Sequence, residues 1–102
     1  MVKILTADDS ISMRQMVTLT LKEAGYDVKA CCDGQEALNT AKQGSYDIIL
    51  SDVNMPNMNG IQLVSELRKM PKYKFTPILI LTTEAGASKK MKVSKREPLD
   101  GL

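Results

Sequence analysis

A chain of 102 residues with 43% hydrophobic content can close one core and no more. Its 14 basic and 12 acidic residues leave a formal charge of +2, too small and too evenly spread for a nucleic-acid footprint. With no histidine, every Ser-His, Cys-His or histidine acid-base device is excluded, and the adjacent Cys31 and Cys32 suit free thiols, buried or half-buried, better than a disulfide or a metal site.

The opening run, Val2 to Ala7, is apolar and ends at Asp8, which predicts a first strand. It is too short for a membrane span and too acidic behind for a signal peptide, so a cytoplasmic chain without membrane partners is expected. Ile11, Met13, Met16, Val17, Leu19, Thr20 and Leu21 then recur at helical spacing, with Ser10 as N-cap and Gly25 as stop. "DVKACC" alternates like a strand, "GQEALNTAKQG" reads as a glycine-bounded helix, and "YDIILSD" is a third, buried strand. A third helix from Asn59 carries Ile61, Leu63, Val64 and Leu67 and must end before Pro71, after which "TPILILTT" makes a fourth strand.

Strands alternating with helices imply an α/β fold, a doubly wound parallel sheet joined by right-handed crossovers and covered by helices on both faces. In such sheets ligands bind in the crevice at the carboxyl ends of the strands. Asp8 and Asp9 follow the first strand, Asp52 ends the third, and Thr82, Thr83 and Glu84 close the fourth. Any one of these could be an ordinary cap or turn residue. Three carboxylates in one crevice repel unless protons or a cation neutralise them. All-oxygen donors point to Mg2+ or Mn2+ rather than to zinc. The remaining nucleophile is a carboxylate, which beside Mg2+ can attack a phosphoryl group, with Thr82 or Thr83 donating a hydrogen bond to the incoming oxygens.

"ADDS" after the first strand, "SDVNMPNMNG" after the third and "PILILTTE" after the fourth resemble the receiver domain of bacterial two-component response regulators, most closely the single-domain chemotaxis receivers of the CheY type. The resemblance runs from Met1 to about Lys90. It implies a flavodoxin-like sheet of order 2-1-3-4 for the strands present here. It makes Asp52 the phosphoryl acceptor, Asp9 and Asp52 the carboxylate ligands of Mg2+, Asn54 a ligand through its backbone carbonyl, and Asp8 a ligand largely through water. Thr82 becomes the switch hydroxyl, while Met55, Pro56 and Gly60 shape the loop beyond the acceptor. Met13 and Arg14 open the first helix near the pocket, and core packing or solvent is the default for them.

The implied donor is a phosphohistidine on a histidine kinase, and the implied reader is a downstream signalling protein. Such a chain is a phosphoryl acceptor rather than an enzyme, with at most slow self-dephosphorylation. Two other readings stand beside it: a receiver-like interaction module without phosphotransfer, and a haloacid-dehalogenase-type phosphatase, which resembles "DxD" where this chain has Asn54.

Where the family continues to a fifth strand bearing "KPF" and a fifth helix, this sequence reads "KKMKVSKREPLDGL". The expectation is a truncated receiver domain over 1–90 and an atypical tail over 91–102, lacking the usual fifth strand and helix, with the charge run read as a solvated helix face or tail. No strand-end lysine follows, so impaired phosphotransfer is expected. Val93 to Leu102 matches a one-base-shifted reading of a family-like ending, Gly-Gln-Gln-Ala-Gly-Ala-Thr-Gly-Trp-Leu-Val-Lys, which predicts a frame-shifted tail. The fourth strand would then be an unpaired apolar edge, covered by a homodimer or larger assembly or by a tail that folds back.

Overall fold

The computed structural model describes residues 1–83 and 89–94, and the side chains as far as Leu81. Nine elements follow one another: β1 (Lys3–Ala7), α1 (Ile11–Glu23), β2 (Asp27–Cys31), α2 (Gly34–Gln43), β3 (Ile48–Asp52), α3 (Gly60–Arg68), a 3-10 turn at Pro71–Tyr73, β4 (Ile78–Thr83) and β5 (Lys89–Ser94). The first four strands are parallel in the expected order 2-1-3-4.

Local chemistry sets the helix starts. Ser10 Oγ accepts from Met13 N at 3.3 Å, and Asp33 Oδ1 accepts from Glu36 N at 2.8 Å, each filling an orphan donor of the first turn. Asn59 and Gln62 do so reciprocally, with Gln62 N donating to Asn59 Oδ1 and Asn59 N to Gln62 Oε1. At its other end α1 stops as expected, with Gly25 at a φ of 98° that other residues rarely adopt.

The two faces of the sheet differ. On one, α2 and α3 close over Leu5, Ala7, Ile49, Ile78 and Ile80, and Leu63 and Leu67 of α3 are fully buried there. Each such leucine contributes about 1.5–3 kcal/mol of burial. On the other face lies α1, none of whose residues is buried. Ile11, Met16 and Leu19 of the expected apolar stripe are 63%, 55% and 60% exposed. Between α1 and the sheet, Met13, Met16, Val17, Leu50 and Leu81 line an open groove of about 360 Å³. Of the two thiols, Cys31 is buried and Cys32 exposed.

The tail requires a correction. Lys89–Ser94 is not helical but a strand paired antiparallel to β4, from Ile78 opposite Ser94 to Thr83 opposite Lys89. No parallel fifth strand follows β4 among the described residues. The unpaired N–H and C=O groups of the β4 edge are a template for any strand that can reach them. A link of only five residues, 84–88, allows a hairpin-like return but not the dozen or more residues of a parallel crossover. The alternation of Met91 and Val93 with lysines suits such an edge. The edge is therefore covered by the chain itself, the second of the two expected ways, and a second copy is not needed for it. The pairing also runs across residue 90, the expected end of the receiver portion. Residues 95–102, most of the expected frame-shifted tail, lie outside the described residues.

Candidate functional site

Parallel pairing brings the carboxyl ends of β1, β3 and β4 to one edge, with Ala7 opposite Ser51 and Asp52 opposite Leu81. Asp8 follows β1 directly and Asp52 is the last residue of β3, so register alone delivers both side chains to that edge. Carboxylate oxygens of Asp8, Asp9 and Asp52 lie within 4.8 Å of one another. Asp8 and Asp52 are only 4% and 6% exposed, whereas Asp9 faces solvent.

Backbone amides orient the two buried groups. Asp8 Oδ1 accepts from Ser10 N at 2.9 Å, and Asp52 Oδ1 accepts from Val53 N at 2.8 Å. Arg14 Nη1 donates to the Asp8 backbone carbonyl at 2.8 Å, which brings a guanidinium to the crevice wall. At an effective dielectric of about 20, two carboxylate charges 4.8 Å apart repel by roughly 3–4 kcal/mol. A hard divalent cation relieves that repulsion, and the donor set fits one: carboxylate oxygens, two of them pre-oriented, with one open side for water. Oxygens sharing one Mg2+ at about 2.0–2.1 Å lie roughly 3–4 Å apart, a small side-chain adjustment from what is seen.

Asn54 stands two residues beyond Asp52, exposed, in the irregular stretch before α3. Thr82 lies on β4 opposite Lys90, and Thr83 opposite Lys89. Their hydroxyls are outside the described side chains, and Glu84 is outside the described residues. Because β5 runs antiparallel, its first residues, Lys89 and Lys90, and not its last, stand at the carboxyl end of β4. Met13 lines the groove under α1 rather than the acidic crevice. Met55 packs partly against the core, and Pro56 is exposed. Gly60 is pressed against the Asp52 backbone. Arg14, expected near the pocket but with core packing or solvent as its default, reaches the crevice wall through a backbone carbonyl, a contact that leaves no pairwise signal in sequence.

The response regulator receiver domain model matches residues 4–100. Chemotaxis protein CheY-3 of Vibrio cholerae serotype O1 is 38% identical over 84 residues, which are 81% of this chain and 65% of that protein. The chain thus spans slightly less than two thirds of the length of this relative. Among solved structures, the chemotaxis response regulator CheY4 of Vibrio cholerae superposes with a TM-score of 0.81 at 55% identity, covering 84% of this chain and 72% of that one. The receiver domain of a sensor histidine kinase from Pseudomonas aeruginosa, which has a magnesium ion coordinated in its active site cleft, has a TM-score of 0.78 at 30% identity, covering 82% of this chain and 69% of that one.

Proposed function

This chain belongs to the response regulator receiver domain family, and from that premise we propose that it accepts a phosphoryl group on Asp52 in two-component signalling of the chemotaxis type. Membership leaves no place for the haloacid-dehalogenase alternative. The observation that carries the proposal is the meeting of Asp8, Asp9 and Asp52 within 4.8 Å at the carboxyl edge of the sheet.

Asp9 and Asp52 would hold Mg2+ or Mn2+ with their carboxylates, Asn54 with its backbone carbonyl and Asp8 through water. Once bound, the cation neutralises charge that the crevice and the phosphoryl oxygens would otherwise bring together. A carboxylate oxygen of Asp52 attacks phosphorus in line with the leaving group. The new bond is an acyl phosphate on Asp52. The bond that breaks is the phosphorus–nitrogen bond of a phosphohistidine on a histidine kinase, and the imidazole keeps the electron pair. Val53 N holds Asp52 Oδ1 in place, which orients the carboxylate for attack. Thr82, on β4, would meet the phosphoryl group and shift the surface that a downstream protein reads. No helix among the described residues is long and apolar enough to cross a membrane, and the proposed setting is the cytoplasm.

The test uses a small-molecule acyl phosphate as donor, with Mg2+, and reads the mass of the protein. Addition of one phosphoryl group to wild type, its absence in Asp52→Asn, and its loss on chelation of the metal are expected. Equal labelling of Asp52→Asn would overturn the assignment of the acceptor. Mg2+ titration of wild type, Asp9→Ala and Asp52→Asn checks the ligands, and equal binding by all three would overturn them.

A further inference from the structure

Among the described residues, Asn57 is alone in combining a side chain with a positive φ, 68°. The Met58 amide donates across it to the Pro56 carbonyl at 2.7 Å, two residues back. That is the rare γ-turn of positive φ, a strained conformation that persists only where its surroundings hold it. Two contacts from the start of α2 hold this one. Asn57 Nδ2 donates to Asp33 Oδ2 at 2.8 Å. The Met58 carbonyl also packs so closely on Gly34 that a Cβ there would overlap it.

Asp33 divides its two oxygens between two tasks. Oδ1 caps α2 by accepting from Glu36 N at 2.8 Å, while Oδ2 holds the loop. The loop starts at the acceptor and closes on the residue next to it. Val53 N donates to Asp52 Oδ1 at 2.8 Å, and Gly60 N donates to the Val53 carbonyl at 2.8 Å. A segment that leaves from Asp52 and is closed on itself by the Val53–Gly60 bond is thus pinned in its middle to a different helix.

We infer that Asp33 and Asn57 form a latch that positions the acceptor loop, fixing residues 53–59 in the conformation that presents Asp52 and the Asn54 backbone to a divalent cation. Neither residue touches the cation. This rests on the reading of the acidic crevice as a Mg2+ site. The latch lowers the cost of ordering the loop when metal binds, as outer partners of metal ligands do elsewhere.

Two substitutions separate the latch from its structural side roles. Asp33→Ser keeps a good N-cap for α2 but has no second oxygen for Asn57. Asn57→Gly keeps the left-handed backbone at no steric cost but loses the amide. The full chain is titrated with Mg2+ by calorimetry, and hydrogen exchange of the Met58 amide is measured without metal.

Each single variant is expected to bind Mg2+ roughly 3- to 10-fold more weakly, at or below the low end of the 10- to 100-fold typical of ligand-supporting partners, because the pair is exposed. Met58 exchange should quicken in both. The double variant should be no weaker than the worse single, since both remove one interaction. Asp33→Asn combined with Asn57→Asp reverses the pair and should recover most of the loss. Unchanged affinity and exchange in both singles, additive losses in the double, or failure of the reversed pair would each overturn the latch. If Asp52→Asn binds Mg2+ as wild type does, it is the metal reading that fails, and Met58 exchange still decides the latch.

Discussion

Gly60, the first residue of α3, lies against the backbone carbonyl of Asp52 so closely that a Cβ on residue 60 would overlap the oxygen, and would also crowd Val53 Cα at 3.1 Å. The obstacle is backbone, which cannot swing aside as a side chain can. Gly60→Ala is therefore expected to cost about 1–3 kcal/mol of stability, as overpacking does, and to weaken Mg2+ binding because Asp52 must shift. Gly44→Ala is the control, since its Cβ would meet only the Tyr46 ring, at 3.1 Å. Urea midpoints and Mg2+ titration of both variants check the contrast, and equal metal affinity in Gly60→Ala would count against the coupling.

The cap at Ser10, the helix start at Asn59 and the meeting of Asp8, Asp9 and Asp52 were legible in sequence, because each follows from local chemistry or from strand ends that parallel pairing must align. The Asp33–Asn57 bond was not, because it joins residues 24 apart through the placement of two loops. Periodicity placed Ile11, Met16 and Leu19 on a helix, but it reports a pattern and not whether a partner element covers it, and all three are exposed. In β5 the lysines hid a period-two alternation behind a charge run.

Thr6 faces the α1 side of the sheet, 3% exposed, and its hydroxyl has no hydrogen-bond partner among the described residues. A buried hydroxyl without a partner costs about 1–3 kcal/mol of desolvation, and valine has the same shape without it. Thr6→Val is expected to raise stability by about 1 kcal/mol, which is about 4–8 °C in Tm for a domain of this size. Thermal unfolding checks it. A fall in Tm would mean that the hydroxyl is satisfied.

The unequal faces of the sheet predict unequal responses to truncation. Leu67 is 0% exposed between α3 and the sheet, while Leu19 on α1 is 60% exposed. Leu67→Ala is expected to destabilise by about 2–5 kcal/mol through lost transfer energy and a residual cavity. Leu19→Ala should stay within about 0.5 kcal/mol. Comparable losses at the two positions, read from urea unfolding, would mean that α1 is as well covered in solution as α3.

Acid stability should report the start of α2. Asp33 and Glu36 are both held below their ordinary values of 3.8 and 4.5: Asp33 first by the Glu36 amide and then by Asn57, Glu36 first by the Cys32 amide and then by the Cys32 side chain. A carboxylate with a depressed folded pKa contributes stability that is complete above its unfolded pKa and is lost as pH falls through the folded one. The stabilisation from this pair is thus present at neutral pH and disappears below about pH 4. Both groups are exposed, so each contribution is small. Glu36→Gln keeps an oxygen for Cys32 N, which donates to Glu36 Oε1 at 2.7 Å, and removes only the charge. Its urea midpoint should therefore fall less steeply with acid than that of wild type, and Asp33→Ser should behave likewise. Identical acid limbs in all three proteins would show that neither carboxylate is perturbed by folding.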